Sequence, residues 1–141
     1  MGRIVGMDVG QKRIGLAVTD PLGIFATGLD TVAVSDIFRY LSEYMKTEKV
    51  DFLVVGSPVK MNNTPSESVK YIEPIVKTLI KTFPGIPVRR IDERFTSRLA
   101  KQAILDGGIR KMARRNKAMV DKISAVIMLQ SFIDQEKNLY K

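Results

Sequence analysis

A mixed five-stranded α/β sheet with helices on both faces is the fold class this sequence predicts, and three observations carry it. The first third reads as three hairpin-like strands, and the middle reads as two helix-then-strand units. Three apolar runs, Ile4–Val9, Phe52–Val55 and Val88–Ile91, stop abruptly at Gly10, at Gly56-Ser57-Pro58 and at Asp92-Glu93. A strand entered from a helix in the same sheet runs parallel to the strand it left, so the last two strands are expected parallel to the first.

The opening strands fall at about 3–9, 13–19 and 24–33, with a turn at Asp20-Pro21-Leu22-Gly23 between the last two. Ser35 is the expected N-cap of a helix to about Lys46, whose apolar face carries Ile37, Phe38, Leu41 and Met45. Phe52-Leu53-Val54-Val55 reads as a strand buried on both faces. After a polar loop from Lys60 to Thr64, a helix is expected from about Ser66 to Phe83. Its apolar residues are Val69, Ile72, Ile75, Val76, Leu79 and Ile80, and Pro74 marks a kink or a later start. Pro84-Gly85 breaks the chain before the short strand Val88–Ile91. Thr96 caps a helix to about Leu105, Gly107-Gly108 ends it, and a last helix runs from about Lys117 to Lys137. This order of elements is that of an RNase H-like fold, in one domain spanning 1–141.

Composition narrows the chemistry. The 141 residues are 45% apolar and 27% charged, ordinary for a globular domain. No apolar run approaches the roughly 20 residues that span a bilayer, and Asp8 and Lys12 interrupt any secretory leader, so a cytoplasmic protein is expected. With no cysteine and no histidine, thiolate nucleophiles, Ser-His-Asp chemistry and ordinary zinc sites are excluded. Any metal must be held by oxygens, which favours Mg2+ or Mn2+. The net charge of +8 is concentrated in two segments, 89–101 and 107–122, while the remainder is balanced. A basic surface so localised favours nucleic acid over membrane, since no amphipathic basic helix accompanies it.

Each basic segment contains an acid. Asp8 ends a buried strand, where a carboxylate is costly unless paired or bound to a cation. Gly10 lets the chain turn there, and Lys12 and Arg13 follow at once. Open sheets form their sites at the carboxyl ends of parallel strands, which places Asp8, Gly56-Ser57-Pro58 and Asp92-Glu93 together. Strand neighbours point to opposite faces, so one of Asp92 and Glu93 aims at the site. Glu93 is preferred for its longer reach, with Asp92 as the alternative. Asp121 shares a helix face with Ala125, Met128 and Phe132, the stripe expected to pack on the sheet. Three converging carboxylates suit two divalent ions about 3.5–4 Å apart, which hydrolyse phosphodiesters without histidine. Lys12, Arg13, Arg94, Arg110, Lys111, Arg114, Arg115 and Lys117 have the charge to hold phosphates, and Thr96 and Ser97 are hydrogen-bond donors beside them. Helix capping is an equally good role for Thr96, and Phe95 reads as core rather than as a stacking platform.

Four motifs in order, Asp8-x-Gly10-x-Lys12-Arg13-Ile14-Gly15, Val54-Val55-Gly56-x-Pro58-x-x-Met61, Asp92-Glu93-Arg94-x-x-Ser97 and Lys117-x-x-Val120-Asp121, resemble the YqgF/RuvX family of pre-16S rRNA nucleases, also described as Holliday-junction-resolvase-like. The resemblance covers nearly the whole chain. It implies an RNase H-like fold, metal-dependent nuclease activity, a role in ribosomal RNA maturation, and Asp8, Glu93 and Asp121 as the acidic triad. Ser57 stands where leucine is usual in the family, and Lys60 and Asn63 where Asn and Gly are commoner; none touches an acid. The expected activity is therefore a Mg2+- or Mn2+-dependent endonuclease on structured RNA. A resolvase on branched DNA is the alternative within enzymes, and such an enzyme is usually a dimer because it cuts two strands symmetrically. A non-catalytic RNA-binding assembly factor would use the same charges but gains nothing from acids facing a phosphate groove. A sugar-kinase-like ATPase needs two lobes, and this length supplies one.

Overall fold

The computed structural model of the protein describes residues 2–57, 69–92 and 117–139. Its strands are β1 (Arg3–Val9), β2 (Arg13–Thr19), β3 (Ala26–Ala33), β4 (Val50–Ser57) and β5 (Val88–Asp92); its helices are α1 (Ile37–Thr47), α2 (Val69–Thr82) and α3 (Lys117–Leu139). The expected helix at 96–105 and the loops at 60–64 and 107–116 lie outside the described residues. All the described strands form one sheet in the order β3-β2-β1-β4-β5. β1 runs antiparallel to β2 and parallel to β4, and β4 is parallel to β5, as the strand–helix–strand pattern requires.

The two-residue period of each strand divides the core into two layers. Val5, Met7 and Val9 of β1, Ile14, Leu16 and Val18 of β2, and Leu53 and Val55 of β4 bury against α1 and α2, where Ile37, Leu41, Ile72 and Leu79 are the main anchors. On the other face, Ala17, Val54 and Ile91 lie under Ala125, Met128, Leu129, Phe132 and Ile133 of α3. The α3 face is built from small residues. A methyl group added to Gly6 would stand 2.9 Å from Leu129 Cβ, so helix and sheet meet at a distance only glycine permits there.

Four local expectations differ from the structure. β3 begins at Ala26 rather than 24, because the Asp20 carboxylate accepts the N–H groups of Ile24 at 2.8 Å and Phe25 at 2.9 Å and folds them into the turn. Ser35 does not cap α1. The chain enters through a 3-10 turn, Val34–Asp36, whose first N–H donates to Lys12 O at 3.0 Å, so Ser35 lies within that turn. Asp36 stands at the cap position but makes no capping bond; it pairs instead with Arg39 at 2.9 Å. Ile80 is 54% exposed, since it lies one position round the helix from Leu79, outside the buried row of Ile72, Ile75, Val76 and Leu79. Pro74 sits inside α2, and the hydroxyl of Thr78 donates to its carbonyl at 2.9 Å. β4 is longer than the apolar run that announced it, and Phe52 is only half-buried.

The start of β3 is held from above. Gln130 of α3 accepts the Ala26 N–H at 2.9 Å, and its amide donates to Ile24 O at 3.4 Å and to Asp134 at 3.2 Å.

Gly6→Ala is expected to destabilise the protein by about 1–3 kcal/mol through overpacking against Leu129. Thermal denaturation of Gly6→Ala, Leu129→Ala and the double variant checks this, the double costing less than the two singles together. The Phe25 N–H, and after it that of Ile24, holds the Asp20 carboxyl below its ordinary value of 3.8. A carboxyl lowered in the folded state stabilises fully above its unfolded value, and that contribution fades as pH falls through the lower folded value. Asp20→Ala is therefore expected to melt below wild type at neutral pH, with the gap closing below about pH 3.8, as read from melting curves across that range.

Candidate active site and nucleic-acid interface

Asp8 occupies the last turn of the pleat before β1 ends. It shares the strand parity of Ile4 and Gly6, so it lies on the face covered by α3, and it is half-buried there. Its partner across the antiparallel pair is Gly15, which adds no side chain beside the carboxylate. The carboxyl ends of β1, β4 and β5 are aligned by parallel pairing, Met7 with Val55 and Ser57 with Asp92. The backbone therefore brings the ends carrying Asp8, Gly56-Ser57 and Asp92 to one edge of the sheet, as the sequence pattern expects.

The loop after Asp8 is tight. The Gly10 N–H donates to Arg13 O at 2.8 Å, and a Cβ on Gly10 would stand 2.8 Å from that same carbonyl oxygen, which forces glycine at this position. Lys12 is consequently exposed at the tip, its carbonyl tied to Val34 of the following 3-10 turn, and Arg13 is half-buried at the start of β2. These two cations are thus displayed by a rigid turn directly above Asp8's end of the sheet.

The basic segment 89–101 is more divided than its composition suggests. Arg89 lies on the α3 face, its guanidinium 5.4 Å from the Phe52 ring and 5.0 Å from the Phe132 ring, with Glu136 at 2.6 Å. Phe52 and Phe132 meet edge to face at 5.9 Å. Arg90 lies on the opposite face and pairs with Glu73 of α2 at 2.9 Å. Both arginines therefore secure helices to the edge strand. By sequence they add to the excess charge or offer partners to neighbouring Asp92 and Glu93; the acids that face them among the described residues are Glu136 and Glu73, far off in the chain. A largely apolar pocket of about 290 Å³, lined by Ile4, Gly23, Phe52, Arg89, Phe132, Ile133 and Glu136, lies beside this stack at the amino ends of β1 and β4, away from Asp8.

Asp121 lies in the second turn of α3, four residues before Ala125, which is fully buried against the sheet together with Met128 and Phe132. Lys117 opens the same helix. The side chains of Lys117, Asp121 and Asp92 lie outside the described residues, as do Glu93, Arg94, Thr96, Ser97, Arg110, Lys111, Arg114 and Arg115 in full. Among the described residues no three acids gather closely enough to hold a metal ion. Nor is any described helix long and apolar enough to cross a membrane.

Comparison with known proteins gives the family of the chain. The model of the family described as "RuvX: Holliday junction resolvase" matches residues 2–135. A protein of Parabacteroides distasonis named "Putative pre-16S rRNA nuclease" is 50% identical over 137 residues, covering 97% of this chain and 98% of its own. One of the same name from Porphyromonas gingivalis is 52% identical over 134 residues, covering 95% and 97%. Among solved structures, T. thermophilus RuvC in complex with a Holliday junction superposes with a TM-score of 0.57 at 14% identity, over 93% of this chain and 92% of that one. At that identity the likeness speaks for the fold, the RNase H-like sheet of the RuvC-type resolvases. With the family match spanning nearly its whole length, and half of its residues shared with relatives over the same span, the chain belongs to the RuvX family.

Proposed function

We propose that this protein is a divalent-metal-dependent endonuclease that trims structured RNA, with the 5′ end of the 16S precursor as its substrate. The observation that carries the reading is the position of Asp8: an acid on the helix-covered face, at the carboxyl end of the central strand, beside a rigid loop presenting Lys12 and Arg13. The names of the relatives supply the substrate class.

Periodicity supports the other two acids. In β5, Val88 and Arg90 belong to the α2 face, and Arg89 and Ile91 to the α3 face. One further period from Ile91 favours Glu93 over Asp92 as Asp8's partner. In α3, the row Ala125, Met128 and Phe132 leads back to Asp121 by one helical repeat. The donor set is then all oxygen, which fits Mg2+ or Mn2+ and no softer ion. Asp8, Glu93 and Asp121 would hold the metal, which when bound supplies hydroxide at neutral pH and charge stabilisation at the leaving oxygen. Lys12, Arg13, Arg94, Lys117 and the cations at 110–115 hold the flanking phosphates, assisted by Thr96 and Ser97. A protein built this way works in the cytoplasm, where precursor ribosomal RNA is made.

The family's description favours a second reading, resolution of four-way DNA junctions. Cleavage of a 5′-extended 16S precursor and of a four-way junction, each with wild type and Asp8→Asn, separates the two. Wild type is expected to cut the RNA, and Asp8→Asn to lose at least about two orders of magnitude in kcat/KM. Equal cleavage by both proteins would sink the assignment, and junction cleavage by a wild-type dimer would favour the second reading.

Saturating Mn2+ is expected to raise the melting temperature of wild type, by linkage worth about 2.7 kcal/mol at a hundredfold excess over Kd. The shift should vanish in Asp8→Asn. An equal shift in both proteins would mean that Asp8 holds no metal.

A further inference from the structure

Lys122 is the residue after Asp121, and its stem is laid flat on β3. A Cβ built on Gly28 would stand 2.8 Å from Lys122 Cγ, 3.0 Å from Cδ and 3.4 Å from Cε. Three consecutive carbons of the lysine therefore run across the one β3 position that has no side chain to lift them. Fixing a lysine stem forfeits up to about 2 kcal/mol of rotamer freedom, which its packing on the glycine offsets while the head group stays in water.

Its head group is not used by the described residues. Arg3, Arg39, Lys46, Arg89 and Arg90 each pair with an acid, whereas Lys122 has no ion pair or hydrogen bond among the described residues. Gly28 pairs with Ala17, and Ala17 with Gly6, two residues before Asp8 on β1. Lys122 thus lies over the same sheet face as Asp8, two strands across and one period back. Strand spacing and rise put the two positions about 12 Å apart, a few nucleotides along a single strand.

We infer that Lys122, steered by Gly28, is a phosphate contact that carries the substrate strand from Asp8 across β2 to the β3 edge. This subsite extends the interface to the side of the sheet opposite β5 and gives the site a direction. It rests on the nuclease reading only in that the ligand is a nucleic acid strand passing Asp8.

The test measures binding of wild type, Lys122→Met, Lys122→Arg and Gly28→Ala to a 5′-extended 16S precursor fragment and to a four-way DNA junction, across a salt series. Methionine keeps most of the stem and removes the charge. Lys122→Met is expected to bind the RNA about threefold to tenfold more weakly, with the slope of log K against log salt smaller by about one. In cleavage the loss should fall on KM rather than kcat. Lys122→Arg should restore binding, and Gly28→Ala should weaken it only while Lys122 is present. Unchanged affinity and salt slope in Lys122→Met would overturn the inference, leaving the stem a packing element. So would a lower melting temperature in Lys122→Met with no change in salt slope. If wild type binds and shows these differences but cuts neither substrate, the nuclease reading fails while the subsite stands.

Discussion

The close approach of α3 to the sheet is the contact on which the rest of the structure depends. Gly6, Gly15, Ala17 and Gly28 strip one face of β1, β2 and β3 nearly bare, and α3 settles into the space with Leu129 against Gly6. This closeness does two things together. It builds the smaller of the two cores from Ala125, Met128, Leu129, Phe132 and Ile133. It also lays the early part of the helix on β3, where the stem of Lys122 crosses Gly28. A bulkier face would hold the helix off the sheet and open the contact between Leu129 and Gly6.

The opposite face does conventional work. α1 and α2 cover the branched residues of β1, β2 and β4, while Asp8 lies on the other face. The division explains how a chain of this size can place an acid such as Asp8 at the end of a central strand. Cohesion comes mainly from the α1/α2 layer, so the α3 layer can spare room for Asp8, glycines and an extended lysine. The desolvation cost of an acid such as Asp8 is met at the margin of the smaller layer, where it is half-buried rather than enclosed.

Much of this was legible in the residues. Strand order and direction follow from the alternation of strand and helix patterns, and the sheet end holding the acids follows from direction. Local entry points were less legible, because they depend on single hydrogen bonds. Asp20 captures two amides and delays β3, and Val34 bonds back to Lys12 and moves the start of α1 past Ser35. Charge was legible in amount but not in use. Arg89 and Arg90 are adjacent in sequence and identical in type, yet one stacks between two phenylalanine rings and the other reaches an acid on α2. Lys122 is the converse case. Nothing in its sequence neighbourhood distinguishes it from other basic residues, and only Gly28, ninety-four positions earlier, marks it out.

The clasp of Gln130 on the start of β3 bears on how this protein behaves in a crowded solution. An open sheet has two borders, and each is an invitation for a foreign strand to add itself. Here Gln130 occupies a backbone donor and an acceptor at the head of one border, and the other carries Arg89 and Arg90, both anchored to helices. Strand addition at the head of the β3 border is thereby discouraged by a side chain that also fastens α3 to the sheet.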